Sequence, residues 1–248
     1  MRDLKDYQNH YSEQSFEDKV VFYRHRQVLM TIDKYPSKRI LDIGCALDPL
    51  FKYVKDYERI VVLEPASLFL EKAREMLKEL DLKNIDVYGE YFEDSYDLLK
   101  DEKFDLIVAS SLLHEVEDPD SFMKMMVSLV DNTETVVHIN VPNAKSIHRL
   151  LGVEMGVIKS GSSKSELGKK FQVTNVFDID SLSKLVGEYG FEVVESGSYL
   201  VKPFSHNQMQ AMCEAGIIDD EVIAGLDAIA TYFPENGSEI FVNLRKTG

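Results

Sequence analysis

The sequence predicts an α/β chain: a mostly parallel sheet with helices on both faces. Two observations carry this. Short apolar runs alternate with helical patterns over most of the 248 residues, the pattern that strand–helix repetition produces. The run KFDLIVAS (103–110) has a Leu-Ile-Val centre suited to burial on both faces, as a central parallel strand requires.

Taken in order, residues 16–34 read as an N-terminal helix and RILDI (39–43) as the first strand, with a helix expected to open at Asp48-Pro49. RIVVLE (59–64), NIDVYG (84–89), KFDLIVAS and TVVHIN (135–140) supply four more strands. ASLFLEKAREMLKEL (66–80) is the helix between the second and third. DPDSFMKMMVSLV starts a helix with Asp118 as N-cap and Pro119 at the first helical position. Beyond 142 the pattern changes. Residues 143–172 are too long for a plain connection, DIDSLSKLVGEYG is a helix, and FEVVESGSYL a strand. Residues 205–232 are helical again, and SEIFVNLRK closes the sheet. The sum is a Rossmann-like, mostly parallel seven-stranded sheet. Residues 1–36 form a helical cap, 37–248 the core, and lid insertions fall at about 143–172 and 203–234. Ligands of such sheets sit beyond the carboxyl ends of the strands, the edge those insertions would roof.

The formal charge of −15 lowers the expectation of nucleic-acid binding, which depends on Lys and Arg meeting phosphates. A small-molecule acceptor is the expected partner. Nothing approaches the roughly 20 apolar residues of a membrane span, and the polar start is neither a signal nor a transit peptide. Cys45 and Cys213 give no disulfide framework and no metal cluster. A cytoplasmic location is expected. The Met-rich run KMMV (124–127) reads as core filler, and SGSSKS (160–165) as a short flexible run.

The informative stretch is ILDIGCALDPL (40–50). Asp42 ends the first strand, Gly44 permits a tight turn and close backbone approach, and Glu64 ends the second strand, where a carboxylate can accept both ribose hydroxyls of an adenosine. An acid at Asp42 would repel a pyrophosphate and suits a ligand carrying ammonium or sulfonium charge. In these motifs the chain resembles the class I S-adenosylmethionine-dependent methyltransferases, whose first motif is approximately an acid followed by three alternating glycines. The resemblance covers about the first 140 residues. It implies S-adenosylmethionine as cofactor, held by Asp42, Gly44, Cys45, Ala46, Glu64 and Pro65. It also implies an adenine edge near Glu90, Tyr91 and Phe92, and Ser110 and Leu113 lining the cofactor side. The sequence departs from the motif at Ala46, which adds a methyl where the family has glycine, and at Asp48, an anion where the cofactor carboxylate sits. Arg24, on the first helix with Tyr23 and His25 and preceded by Tyr11, could offset that anion; a surface arginine is the bland alternative.

For the acceptor, His114 follows the fourth strand on the cofactor edge and is a candidate base, with Glu115 beside it as a second acid/base or a solvated side chain. His138 reads as a satisfied core histidine. VPNAKSIHRLLGVEMGVI (141–158) and SYLVKPFSHNQM (198–209) resemble segments of small bacterial methyltransferases of surface-polysaccharide pathways. That resemblance implies that Asn143, His148, Arg149, Lys202 and Gln208 face the acceptor, with His148 as base and Arg149 as an anion clamp. Alternatively SIHRLLGVEM is an amphipathic lid helix whose His148 and Arg149 are merely solvated. The expected function is methyl transfer to a hydroxyl of a sugar, nucleotide-sugar or phosphorylated intermediate of surface-glycan or capsule synthesis. Its rivals are a non-catalytic S-adenosylmethionine-binding relative and a nicotinamide-dependent oxidoreductase. Apolar faces on the insertions could pair into a homodimer.

Overall fold

The computed structural model describes residues 16–130, 132–163 and 173–248; Tyr11 and the last part of the 143–172 insertion lie outside them. Seven strands form one sheet: β1 Arg39–Ile43, β2 Arg59–Leu63, β3 Ile85–Tyr88, β4 Leu106–Ser110, β5 Val136–Pro142, β6 Phe191–Tyr199 and β7 Glu239–Lys246. Their order is β3-β2-β1-β4-β5-β7-β6. Strands β1 to β5 pair in parallel, and β7 runs antiparallel between β5 and β6. The expected mostly parallel seven-stranded sheet is therefore present.

The helices are α1 Glu17–Lys34, α2 Ser67–Glu79, α3 Tyr96–Leu99, α4 Pro119–Leu129, α5 Ile147–Glu154, α6 Ile179–Gly187, α7 His206–Glu214 and α8 Asp220–Ala228. Alternation along β1 sends Ile40 to one face and Leu41 and Ile43 to the other. Ile40 joins Val28 of α1 and Ala73 of α2, whereas Leu41 and Ile43 pack with Phe122 and Met126 of α4. A third apolar cluster joins the cap to the β6–β7 insertion through Phe16, Val20, Leu200, Met209 and Ile223. Asp118 caps α4 as its sequence implies, accepting from Asp120 N at 3.1 Å and Ser121 N at 3.2 Å.

The helix expected at Asp48-Pro49 does not form. Pro49 is extended (φ −60°, ψ 137°), and a single 3-10 turn, Leu50–Lys52, follows without a side-chain cap. Asp48 is drawn away by stronger partners: Lys52 Nζ, Tyr53 OH at 2.8 Å and His25 Nδ1 at 3.4 Å. His138 is the satisfied core histidine expected. Its Nδ1 meets Asn243 Oδ1 at 2.7 Å and its Nε2 meets Asn140 Nδ2 at 3.1 Å. Burial lowers its pKa to about 4, so the ring is neutral.

Candidate active site

The strand order reverses between β1 and β4, which opens a crevice at the carboxyl edge of the sheet. There a cavity of about 790 Å3 is lined by the ends of β1, β2 and β4, the loops that follow them, the β3–α3 loop and one side of α1. This volume falls in the range of small-molecule pockets.

Asp42 is 3 % exposed and lines the cavity. Its Oδ2 has no hydrogen-bond partner. Burial, reinforced by the nearby Glu64 charge, raises its pKa to about 7. A carboxylate placed there lacks a cation. Glu64 is engaged instead: its Oε2 accepts from Cys45 N at 3.1 Å and Ala46 N at 3.0 Å, and its Oε1 from Ala66 N at 2.9 Å. Those amides pull its pKa down, yet burial outweighs them and the net direction is up. The glycine-rich turn is built as its sequence implies at Gly44, whose φ of +80° favours glycine. Ala46 also sits at positive φ, +48°. An alanine there carries left-handed strain that a glycine would not. Cys45 is buried and burial pushes its thiol far up, which leaves it unreactive.

Ala46, Pro65, Glu90, Tyr91, Phe92 and Ser110 all line the cavity. Leu113 does not; it is wholly buried in the core, and Leu112 takes the cavity position. Ser111, at φ +52°, turns the chain between them and the strand. Its N donates to Asn140 Oδ1 at 2.8 Å, and Asn140 Nδ2 donates to Ser110 Oγ at 3.0 Å. The buried β5 asparagine thus fixes the cavity floor. Arg24 reaches the cavity, but its guanidinium is shared by Glu239 (Nε to Oε2, 3.1 Å) and Glu17 (3.1 Å). His25 and Lys52, rather than Arg24, offset Asp48.

Of the acceptor candidates, Glu115 is neither solvated nor remote: it is 7 % exposed and lines the cavity. His114 lies behind it, Nε2 3.5 Å from Glu115 Oε1, with Nδ1 buried and unpartnered. The other candidates are held elsewhere. Asn143 is buried and donates to the carbonyls of Glu235 and Gly237, each at 2.8 Å, pinning the two insertions together. Arg149 donates to Gly161 O at 2.7 Å and to Ser163 O, closing its own loop rather than clamping an anion. Gln208 completes a capping box with Ser205 at the start of α7. Lys202 is fully buried, its Nζ 2.6 Å from His206 Nδ1, and burial lowers its pKa to about 8. Burial, with Lys202 and His206 close by, holds His148 neutral. Sequence reasoning missed Glu17, whose carboxylate lines the cavity and accepts from His206 Nε2 at 3.1 Å; its only signal was a place in the first turn of α1.

The family model described as a methyltransferase domain matches residues 17–196. The fold is similar to that of several solved structures. A [4+2]-cyclase, SpnF, has a TM-score of 0.63 at 16% identity, covering 90% of this chain and 80% of its own. A putative sarcosine dimethylglycine methyltransferase from Galdieria sulphuraria gives 0.62 at 16%, covering 92% and 86%. The N-methyltransferase NodS from Bradyrhizobium japonicum WM9, in complex with S-adenosyl-L-homocysteine, gives 0.55 at 15%, covering 95% and 90%. A sequence search of curated proteins finds no match. The domain match spans most of the chain, including the Asp42–Gly44 turn, Glu64 and the β4 loop, so the chain belongs to the methyltransferase-domain family.

Proposed function

We propose that this chain transfers a methyl group from S-adenosylmethionine to a small polar acceptor in the 790 Å3 cavity. The observation that carries the reading is the partnerless Asp42 Oδ2 on the cavity wall. A cofactor bearing an ammonium and a sulfonium supplies the missing positive charge, and Glu64, Glu90 and Tyr91 stand where its adenosine would lie. When bound, the cofactor supplies an electrophilic methyl. The protein's task is alignment and, for a hydroxyl acceptor, removal of a proton. We assign that proton to the His114–Glu115 pair rather than to His148, because Glu115 lines the cavity and His148 does not. O-methylation of a surface-glycan precursor rests on the segment resemblances. The phosphorylated form of that acceptor draws no support from Arg149, whose guanidinium is bound to carbonyls.

Isothermal titration with S-adenosylmethionine, S-adenosylhomocysteine and NAD tests the reading. Adenosyl binding without NAD binding is expected, weakened about 10- to 100-fold in Asp42→Asn, the range for loss of a charge-assisted hydrogen bond. Unchanged affinity in that variant would sink the assignment.

A further inference from the structure

Glu115 stands on residues 111–118, the connection from β4 to α4, which contains neither helix nor strand. Its place in the cavity wall therefore depends on partners for the loop's own backbone groups.

Those partners come from Thr174, 60 residues beyond His114. Thr174 donates its backbone N–H to His114 O at 2.9 Å and its hydroxyl to Val116 O at 2.6 Å. The adjacent Asn175 adds a second backbone donor to His114 O at 3.1 Å, and its Nδ2 donates to Thr174 Oγ1 at 3.0 Å. A hydroxyl carries one proton. With Asn175 donating to the oxygen, that proton goes to a carbonyl, and Val116 O is nearer to Oγ1 than His114 O, which is 3.1 Å away. On the inner edge of the loop, Glu115 N donates to Leu112 O at 2.8 Å. The peptide plane entering Glu115 is thus held at both edges, and the chain leaving it is held at Val116. Thr174 is backed in turn by Phe177, which is buried and whose carbonyl accepts from Ala144 N at 2.7 Å.

We propose that Thr174 is a positioning residue for methyl transfer: its hydroxyl, acting through the His114 and Val116 carbonyls, fixes the direction in which Glu115 enters the cavity. The inference rests on the assignment of the acceptor's proton to the His114–Glu115 pair. A group that takes a proton has to be held within about 0.5 Å of its working place, and supporting hydrogen bonds are what hold it.

Two cofactor-shaped ligands test this by binding alone, each titrated into the full chain. S-adenosylhomocysteine is uncharged at sulfur. Sinefungin has an amine-bearing carbon in that place, and its ammonium meets a carboxylate that faces the reacting atoms. Sinefungin is expected to bind more tightly, and Glu115→Gln to remove that preference. Thr174→Val should reduce the preference about threefold to tenfold, the range for one lost hydrogen bond, with S-adenosylhomocysteine bound as before. Thr174→Ser, which keeps the hydroxyl, should restore it. Asn175→Ala, which takes away the donor that orients the hydroxyl, should shift the ratio the same way as Thr174→Val. In the Glu115→Gln background Thr174→Val should leave the ratio unchanged. An unmoved ratio in both the Thr174→Val and Asn175→Ala proteins, or equal losses for the two ligands, would reduce Thr174 to a stabilising contact and overturn the inference alone. A sinefungin preference that is absent, or that Glu115→Gln does not touch, would overturn the Glu115 assignment and the inference with it. Binding of neither ligand by the parent would remove the cofactor reading and the inference together.

Discussion

Asp42 shows what a buried, half-partnered carboxylate costs. An aspartate titrating near 3.8 when unfolded and near 7 when folded binds more protons in the native state. Its contribution to stability is therefore lost as pH rises from about 4 to about 7. At one unit per 1.36 kcal/mol, the burden at neutral pH is on the order of 3–4 kcal/mol. Asp42→Asn should then be more stable than the parent at pH 7, level with it near pH 4, and weak for the cofactor. Urea unfolding of both proteins across that range checks this, and a variant less stable at pH 7 would refute it. Asp42, Gly44 and Glu64 were legible because strand-end acids and a glycine turn follow each other at fixed spacing. The left-handed Ala46 was not, since nothing local to an alanine announces positive φ. Leu112 and Leu113 were exchanged for a related reason: Ser111 turns at φ +52° and changes which of two adjacent leucines faces the cavity. Gln208 was misread despite a local signal, the Ser-x-x-Gln spacing of a capping box.

At the scale of elements, strands β1, β2 and β4 were easy to find, because burial on both faces leaves uninterrupted apolar runs. Asn143 and Arg149 were not, because their partners lie elsewhere in the chain: Glu235 and Gly237 for one, Gly161 and Ser163 for the other. The β5–β7 pairing contains the clearest element-level wager. His138 bridges Asn140 and Asn243 inside the sheet, and Asn140 in turn holds Ser110 and Ser111 at the cavity floor. Replacing His138 by Phe removes one partner from each amide, while Asn140 keeps Ser110 and Asn243 keeps Glu195, at about 1 kcal/mol for each lost hydrogen bond. Because Asn140 also loses an anchor, cofactor affinity should fall with stability. A His138→Phe protein that loses stability but keeps its titration curve with S-adenosylhomocysteine would disconnect the core rung from the site. Titration of His138 gives a second signature. Its folded pKa near 4 against an ordinary 6.5 means stability that is present above 6.5 and lost as pH falls towards 4, opposite in sign to Asp42 over the same window.

Across the whole molecule, the cap and the β6–β7 insertion come from opposite ends of the chain and meet beside the cavity through a buried charge network. Arg24 of α1 joins Glu17 and Glu239; Tyr199 OH donates to Glu239; Glu17 accepts from His206, whose other nitrogen meets Lys202. The network's charges cancel if Glu17 and Glu239 are ionised, Arg24 and Lys202 charged and His206 neutral. The same two elements also meet through the third apolar cluster. Removing Arg24 alone leaves two carboxylates short of a counter-charge in a site of low polarity, and breaking a buried pair this way costs about 3–5 kcal/mol. Arg24→Met should lower the urea midpoint accordingly and raise hydrogen exchange across α1 and α7 before the β1–β4 core. Adding Glu239→Gln to Arg24→Met removes one of the stranded charges and should recover part of the loss, because an uncharged pair has less to compensate. If the double variant is as unstable as the sum of the singles, the pair is not coupled, and the cap is held by Phe16, Val20 and their apolar neighbours instead.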